Sequence, residues 1–337
     1  MKTLICSKPG ELALIEQTPP TRAAGEILLR VRRVGLCGTD FHIFTGHQPY
    51  LDYPRVPGHE LAATVGEADA GSAFKPGQLV TVNPYLACGN CHACGLGKPN
   101  CCMNIGVLGV HRDGGMSELI SVPQDAVIAV DGLTPEQAAM VEFLAVGRHA
   151  VCRGDVAGGE RVLVAGAGPI GIGIALFAAE AGAEVTLIDT ETERLDHARQ
   201  AIGIPHTLLA DDALDEILAR ETDGNFFDAV FDATGNRSAM ERGFSFVAHG
   251  GRYVLVSIVK GDISFTDSEF HKREMTLIAS RNALSQDFEH VIAAMRAGKI
   301  PTAALNTHNF ALDDLAEHMP ALIRDRGSIV KAIGHFA

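Results

Sequence analysis

Apolar and polar positions settle into a regular alternation from about residue 161 onward. "VLVAG" (162–166) is an unbroken apolar run of strand length, residues 170–181 place apolar side chains at helical spacing, and "EVTLID" (184–189) is strand-like again. "TERLDHARQA" (192–201) continues as helix, and "HTLLA" (206–210), "FDAVFDATG" (227–235), "GGRYVLVS" (250–257) and "EMTLIAS" (274–280) continue as strands. Strand and helix taking turns in this way predict a doubly wound parallel sheet of about six strands over roughly residues 150–283. The longest apolar runs, such as "RVLVAGAG" and "RYVLVSIV", are broken by charge or glycine and fall well short of the roughly 20 residues that a membrane span needs. No transmembrane helix is expected. The opening stretch has only a brief apolar patch before proline and glutamate, without a small-residue cleavage site, and this reads as a cytoplasmic protein.

Composition adds two limits. A chain of 337 residues, 47% of them apolar, is long enough for two domains, each with its own core. A formal charge of −13 with no cluster of Lys and Arg argues against nucleic acid as a partner, because phosphate neutralisation needs clustered cations. The expected partner is a small molecule, and an anionic one needs its own local positive pocket.

The stretch "CGNCHACGLGKPNCC" (88–102) concentrates five of the eight cysteines. In a reducing compartment such a cluster is a metal site or a catalytic device rather than a disulfide framework. Cys88, Cys91, Cys94 and Cys102 follow the spacing CxxCxxCx7C, which suits four thiolates closing a tetrahedron around a structural Zn²⁺. Gly89, Gly95, Gly97 and Pro99 predict a loop folded tightly around the ion, and Cys101 is left over. A redox CxxC pair is the alternative, and three evenly spaced thiols plus a fourth do not resemble one.

Gly166, Gly168 and Gly171 form GxGxxG between a predicted strand and a predicted helix. There the first glycine makes the turn, the second admits a pyrophosphate to the backbone, and the third lets the helix pack closely. Asp189, at the end of the next strand, accepts from ribose hydroxyls and repels a 2′-phosphate, so NAD is favoured over NADP. Upstream, Cys37, His59 and Glu60 offer the mixed donor set typical of catalytic zinc. Each also has a plainer reading: a small core residue, a satisfied loop histidine and a solvated carboxylate.

"GLCGTDFH", "VPGHE", the cysteine lobe, "DGGMSEL", "VEFLAVGRHA", "GAGPIG" and "DATG" occur in the order and spacing of the zinc-dependent medium-chain alcohol and polyol dehydrogenases, which the whole chain resembles. The resemblance implies an α/β architecture: a GroES-like, β-rich catalytic domain at 1–149 with its zinc lobe at 86–104, a Rossmann domain at 150–283, and a return to the catalytic domain at 284–337. It implies two zinc ions per chain and NAD. Cys37, His59 and Glu60 are then catalytic-zinc ligands, and Glu142 completes the coordination or holds the zinc-bound water. Asp40 is then the partner that orients His59, with Thr39 and His42 as the proton relay to solvent. The implied cofactor site is Gly166, Gly168, Pro169, Ile170, Gly171, Asp189, Arg194, Thr234 and Ser257. Two positions depart from the family pattern: Ala63 replaces a common glycine, and Phe143 replaces the proline common after the glutamate in the polyol branch.

Segments such as "NCCMNIGVLGVHRDGG" and "SEFHKREMTLIASRNA" are similar to family members that oxidise a sugar acid, which points to an aldonate such as L-galactonate or L-gulonate. Arg112, Lys272 and Arg281 are the candidates for gripping its carboxylate. A sorbitol-type polyol or L-threonine is the alternative substrate on the same fold. A zinc-free quinone or enoyl reductase is disfavoured by the joint presence of Cys37, His59, Glu60 and Asp189. The resemblance also implies a homo-oligomer, a tetramer rather than a dimer.

Overall fold

The strand Glu26–Leu36 is the spine of a seven-stranded sheet. Its alternation does the folding: Ile27, Leu29 and Val31 are buried while Arg30 and Arg32 face solvent, as a half-buried strand requires. It pairs antiparallel with Glu60–Glu67 on one flank and with Leu119–Pro123 and Lys331–His335 on the other. Leu4, Ile27, Leu29, Leu61, Val80 and Ala332 pack on this sheet, all fully buried. Each large aliphatic side chain so buried contributes about 1.5–3 kcal/mol. Register places Gly35 opposite Glu60 in one neighbour and opposite Ile333 in the other.

The computed structural model describes residues 1–337 apart from Pro49, Arg326 and Ala337. The chain divides into two compact units, Met1–Glu142 with Ala283–Ala337, and Phe143–Asn282. The first division falls inside the helix Val141–Arg153 instead of after residue 149. A continuous helix gives the apolar pattern no break at that point.

The second unit carries six strands in the spatial order 207–209, 184–189, 161–165, 227–232, 247–255, 276–279, every pairing parallel. Val162, Leu163 and Val164 are fully buried, as expected of a central strand covered on both faces. Chain order reverses direction between the strands Arg161–Ala165 and Phe227–Asp232, and in doubly wound sheets ligands bind in the crevice at the carboxyl ends beside such a switch. Among the described residues no helix is long and apolar enough to cross a membrane.

Candidate metal centre and dinucleotide site

The long spine strand ends at Leu36, and Cys37 caps the helix Gly38–Thr45 in extended conformation (φ −107°, ψ 160°). His59 and Glu60 lie where the neighbouring strand begins. Cys37 Sγ, a ring nitrogen of His59 and a Glu60 carboxylate oxygen all lie within 4.8 Å of one another. His59 and Glu60 are buried, 6% and 0% exposed, and His59 Nδ1 has no hydrogen-bond partner. A buried polar atom left in that state costs about 1–3 kcal/mol, so this donor set suits a cation. One thiolate, one imidazole and one carboxylate fit zinc in a site with a position left for substrate. Burial alone disfavours the protonated imidazole, but Cys37, Asp40 and Glu142 around it outweigh burial and hold its pKa well above the ordinary histidine value.

Asp40 corrects an expectation. Its carboxylate accepts from the Cys37 backbone nitrogen (2.9 Å) and from that of Gly58 (3.1 Å), not from the His59 ring. Asp40 therefore ties together the two backbone segments that carry ligands. At 1% exposure, burial pushes its carboxyl pKa up. Thr39 and His42 lie one turn apart on the same helix, Thr39 half-buried and His42 exposed, with the His42 ring edge-on to His47 at 6.4 Å.

Glu142 sits in the first turn of Val141–Arg153, 3% exposed, and lies outside the three-residue donor cluster. Tyr85 donates to its carboxylate. Burial raises the pKa of both groups, with the Glu60 charge raising that of Glu142 further. Phe143, next in the chain, is buried (1%), and Ala63 is fully buried in the strand that begins at Glu60.

Sequence reasoning missed Tyr85 and Lys331. The Lys331 ammonium lies 2.6 and 2.7 Å from the two oxygens of Glu60 and 3.0 Å from the carbonyl of Leu36. It is 1% exposed. The signal was available: Lys331 interrupts the apolar run Ile329, Val330, Ala332, Ile333, and a strand lysine with no exposed neighbours needs a carboxylate. Tyr85 carried no comparable signal.

The cysteine lobe forms as spaced. Cys88, Cys91, Cys94 and Cys102 gather into one cluster with sulfur separations of 3.4 Å (Cys102–Cys88), 3.5 Å (Cys91–Cys94) and 3.9 Å (Cys91–Cys102). A Zn–S distance of about 2.3 Å sets a tetrahedral edge of roughly 3.8 Å, so the four thiolates fit zinc. Gly89 and Gly97 adopt positive φ (75° and 72°), whereas Gly95 closes a single helical turn, His92–Gly95, where only loop was expected. Backbone N–H groups of Cys88 and Asn104 point at Cys102 Sγ (3.2 and 3.3 Å), and N–H donors of Cys94 and Met103 pull the Cys91 thiol down to about 6. Cys101 is exposed and outside the cluster.

In the second unit Gly166 takes φ +101°, and Gly168 caps the helix Pro169–Glu180, with Pro169 at its start and Ile170 in its first turn. A Cβ on Gly171 would overlap the Gly166 carbonyl oxygen, whereas one on Gly168 would meet nothing within 4 Å. The third glycine is thus required by packing, and the second leaves open space at a helix N-terminus, the place for a pyrophosphate. Asp189, 8% exposed, accepts from the backbone nitrogens of Ala167 (2.6 Å) and Glu191 (2.9 Å), and Arg194 approaches at 3.7 Å. Two of its roughly four lone-pair positions are taken, leaving room for ribose hydroxyls. Thr234 and Ser257 both donate to Asp232, at 2.9 and 2.7 Å; fully buried Asp232, whose pKa burial raises, organises this end of the crevice and was not foreseen.

The three cations proposed for a substrate carboxylate are divided between the two units. Arg112 belongs to the first unit and lies over Gly106; Lys272 and Arg281 belong to the second. All three are exposed, and Lys272, 63% exposed, pairs with Glu269 at 3.7 Å.

Residues 23–132 match the alcohol dehydrogenase GroES-like domain, and residues 169–297 match the zinc-binding dehydrogenase domain. A protein named L-galactonate-5-dehydrogenase, from Escherichia coli K12, is 40% identical over 334 residues, covering 99% of this chain and 98% of that protein. An L-threonine 3-dehydrogenase from Chelativorans sp. BNC1 is 31% identical, covering 96% and 95%. Among solved structures, the alcohol dehydrogenase rspB of E. coli CFT073, complexed with NADH, superposes with a TM-score of 0.93 at 30% identity over 100% of this chain and 99% of that one.

Proposed function

Because this chain belongs to the zinc-dependent medium-chain dehydrogenases, oxidoreductases acting on CH–OH groups, we propose that it oxidises a secondary hydroxyl of a sugar acid, L-galactonate first, with NAD as hydride acceptor. The observation that carries this reading is the Cys37–His59–Glu60 donor set, its thiol half-buried and its other two members buried, with an orphaned imidazole nitrogen. When bound, zinc would supply a Lewis acid for the substrate hydroxyl and NAD a hydride acceptor. The chain's own residues do the rest. Cys37, His59 and Glu60 hold the metal. Thr39 and His42 pass the proton along one helical turn to solvent, where an exposed histidine suits the exchange. Gly166 to Gly171 and Asp189 orient the cofactor, and Thr234, Ser257 and Arg194 flank it.

The sugar-acid reading is supported by the 40% identical relative; L-gulonate is the next candidate and L-threonine, the substrate in the 31% identical relative's name, the second reading. Arg112, Lys272 and Arg281 are the cations to test as a carboxylate clamp. We further place the enzyme in the cytoplasm, where the thiolate cluster stays reduced, and as a tetramer, which size-exclusion chromatography with light scattering checks. The deciding experiment compares NADH formation by zinc-loaded protein on L-galactonate, L-gulonate, sorbitol and L-threonine. An aldonate should exceed sorbitol by about a hundredfold in kcat/KM, roughly 3 kcal/mol of differential transition-state binding. Preference for threonine or sorbitol overturns the substrate and leaves the zinc and hydride chemistry standing.

A further inference from the structure

We propose that Lys331 is a positioning residue of the catalytic metal site: with Gly35 it fixes the orientation of Glu60, and it makes retention of that metal depend on the seating of the last strand of the chain. The inference rests on the zinc reading of Cys37, His59 and Glu60.

Three observations meet here. The Lys331 ammonium contacts both Glu60 oxygens and also the Leu36 carbonyl, so one cation binds the ligand carboxylate and the peptide immediately before Cys37. Gly35, paired directly with Glu60 across the sheet, has no side chain because a Cβ there would overlap Glu60 Oε2. The carboxylate therefore lies against bare backbone at Gly35 and is held at both oxygens by the ammonium. Finally, Lys331 opens the strand Lys331–His335, which is added antiparallel to the spine strand through Ala332 opposite Leu36 and Ile333 opposite Gly35. The position of the ammonium is thus set by strand pairing rather than by a flexible side chain on the surface. Carboxylates that ligate metals are oriented by such outer partners, whose loss weakens metal binding.

The test is metal retention, with the four-thiolate zinc as internal control. Wild-type protein, Lys331→Met, Lys331→Arg and Gly35→Ala are zinc-loaded, desalted, and followed for zinc content and for the rate of zinc transfer to a chromogenic chelator. Wild type is expected to hold two zinc ions per chain. Lys331→Met and Gly35→Ala should keep the thiolate zinc and lose the other at least about tenfold faster, while Lys331→Arg stays within about threefold of wild type. Gly35→Ala displaces the carboxylate without touching the lysine, and so decides the matter if Lys331→Met does not fold. Unchanged or slower loss of the second zinc in folded Lys331→Met and Gly35→Ala overturns the positioning role. Absence of the second zinc from wild type instead overturns the zinc reading itself.

Discussion

The Asp189 carboxylate accepts a 2.6 Å hydrogen bond from the backbone nitrogen of Ala167, inside the glycine turn. One residue thus ties the glycine turn to the end of the strand Glu184–Asp189, the two places that the proposed function gives to the cofactor phosphates and ribose. Asp189→Ser removes both the tie and the negative charge that opposes a 2′-phosphate. The expected outcome is a loss of about tenfold or more in kcat/KM for NAD⁺ together with a gain in the NADP⁺ to NAD⁺ ratio, read from initial rates. A variant with unaltered cofactor preference sinks this assignment.

Gly168 and Gly171 should separate under substitution. Gly171→Ala sets a methyl group against the Gly166 carbonyl, a backbone atom that cannot rotate aside, and should lower the thermal midpoint and abolish NADH binding. Gly168→Ala meets no protein atom and should fold normally, yet lose about tenfold or more in NADH affinity because the methyl occupies the phosphate approach. Fluorescence titration with NADH and a thermal melt distinguish the two, and equal behaviour contradicts the geometry.

Among the cysteines, Cys94→Ser should cost one zinc per chain and destabilise the lobe, whereas Cys101→Ser should keep both metal content and melting temperature. Burial pushes the Cys6 thiol up to about 11, so its reactive thiolate forms only as pH rises toward that value. At pH 8 only roughly one Cys6 in a thousand is ionised. Brief iodoacetamide treatment of zinc-loaded protein should therefore label exposed Cys101 and Cys152 and spare Cys6, as mapped by peptide mass spectrometry.

Asp40→Ala leaves the backbone donors of Cys37 and Gly58 without their shared acceptor. The buried Gly58 donor left without a partner costs about 1–3 kcal/mol and the part-buried Cys37 donor less, which should appear as a lower denaturation midpoint together with weaker zinc retention. Asp40→Asn keeps one acceptor oxygen and should fall between. If Asp40→Asn matches wild type in both measurements, the shared tie between the two segments is not needed.

Several features were legible because the interactions behind them are short in sequence. Glycine spacing at 166, 168 and 171 reflects the geometry of a single turn, and the four zinc-spaced cysteines sit within one loop. Cys37 comes from one element and the adjacent His59 and Glu60 from the start of another, and spacing alone left their plainer readings open until family resemblance joined them. Asp40 was placed on the right segment with the wrong partner, since a sequence shows that a carboxylate is present and not which donors reach it first. Lys331 and Glu60 stand 271 positions apart, and no local pattern relates them.

The sequence by itself determined the alternation of strand and helix, the two compact cores, the glycine turn and the thiolate lobe, since apolar periodicity and turn chemistry act over a few residues. Only the tertiary structure decided how the carboxylates are held: Glu60 between Gly35 and Lys331, Glu142 under Tyr85, Asp189 on Ala167 and Asp232 beneath Thr234 and Ser257. A buried charge takes its orientation and proton affinity from whichever groups the fold brings within hydrogen-bond distance, and pairing of distant strands settles that choice.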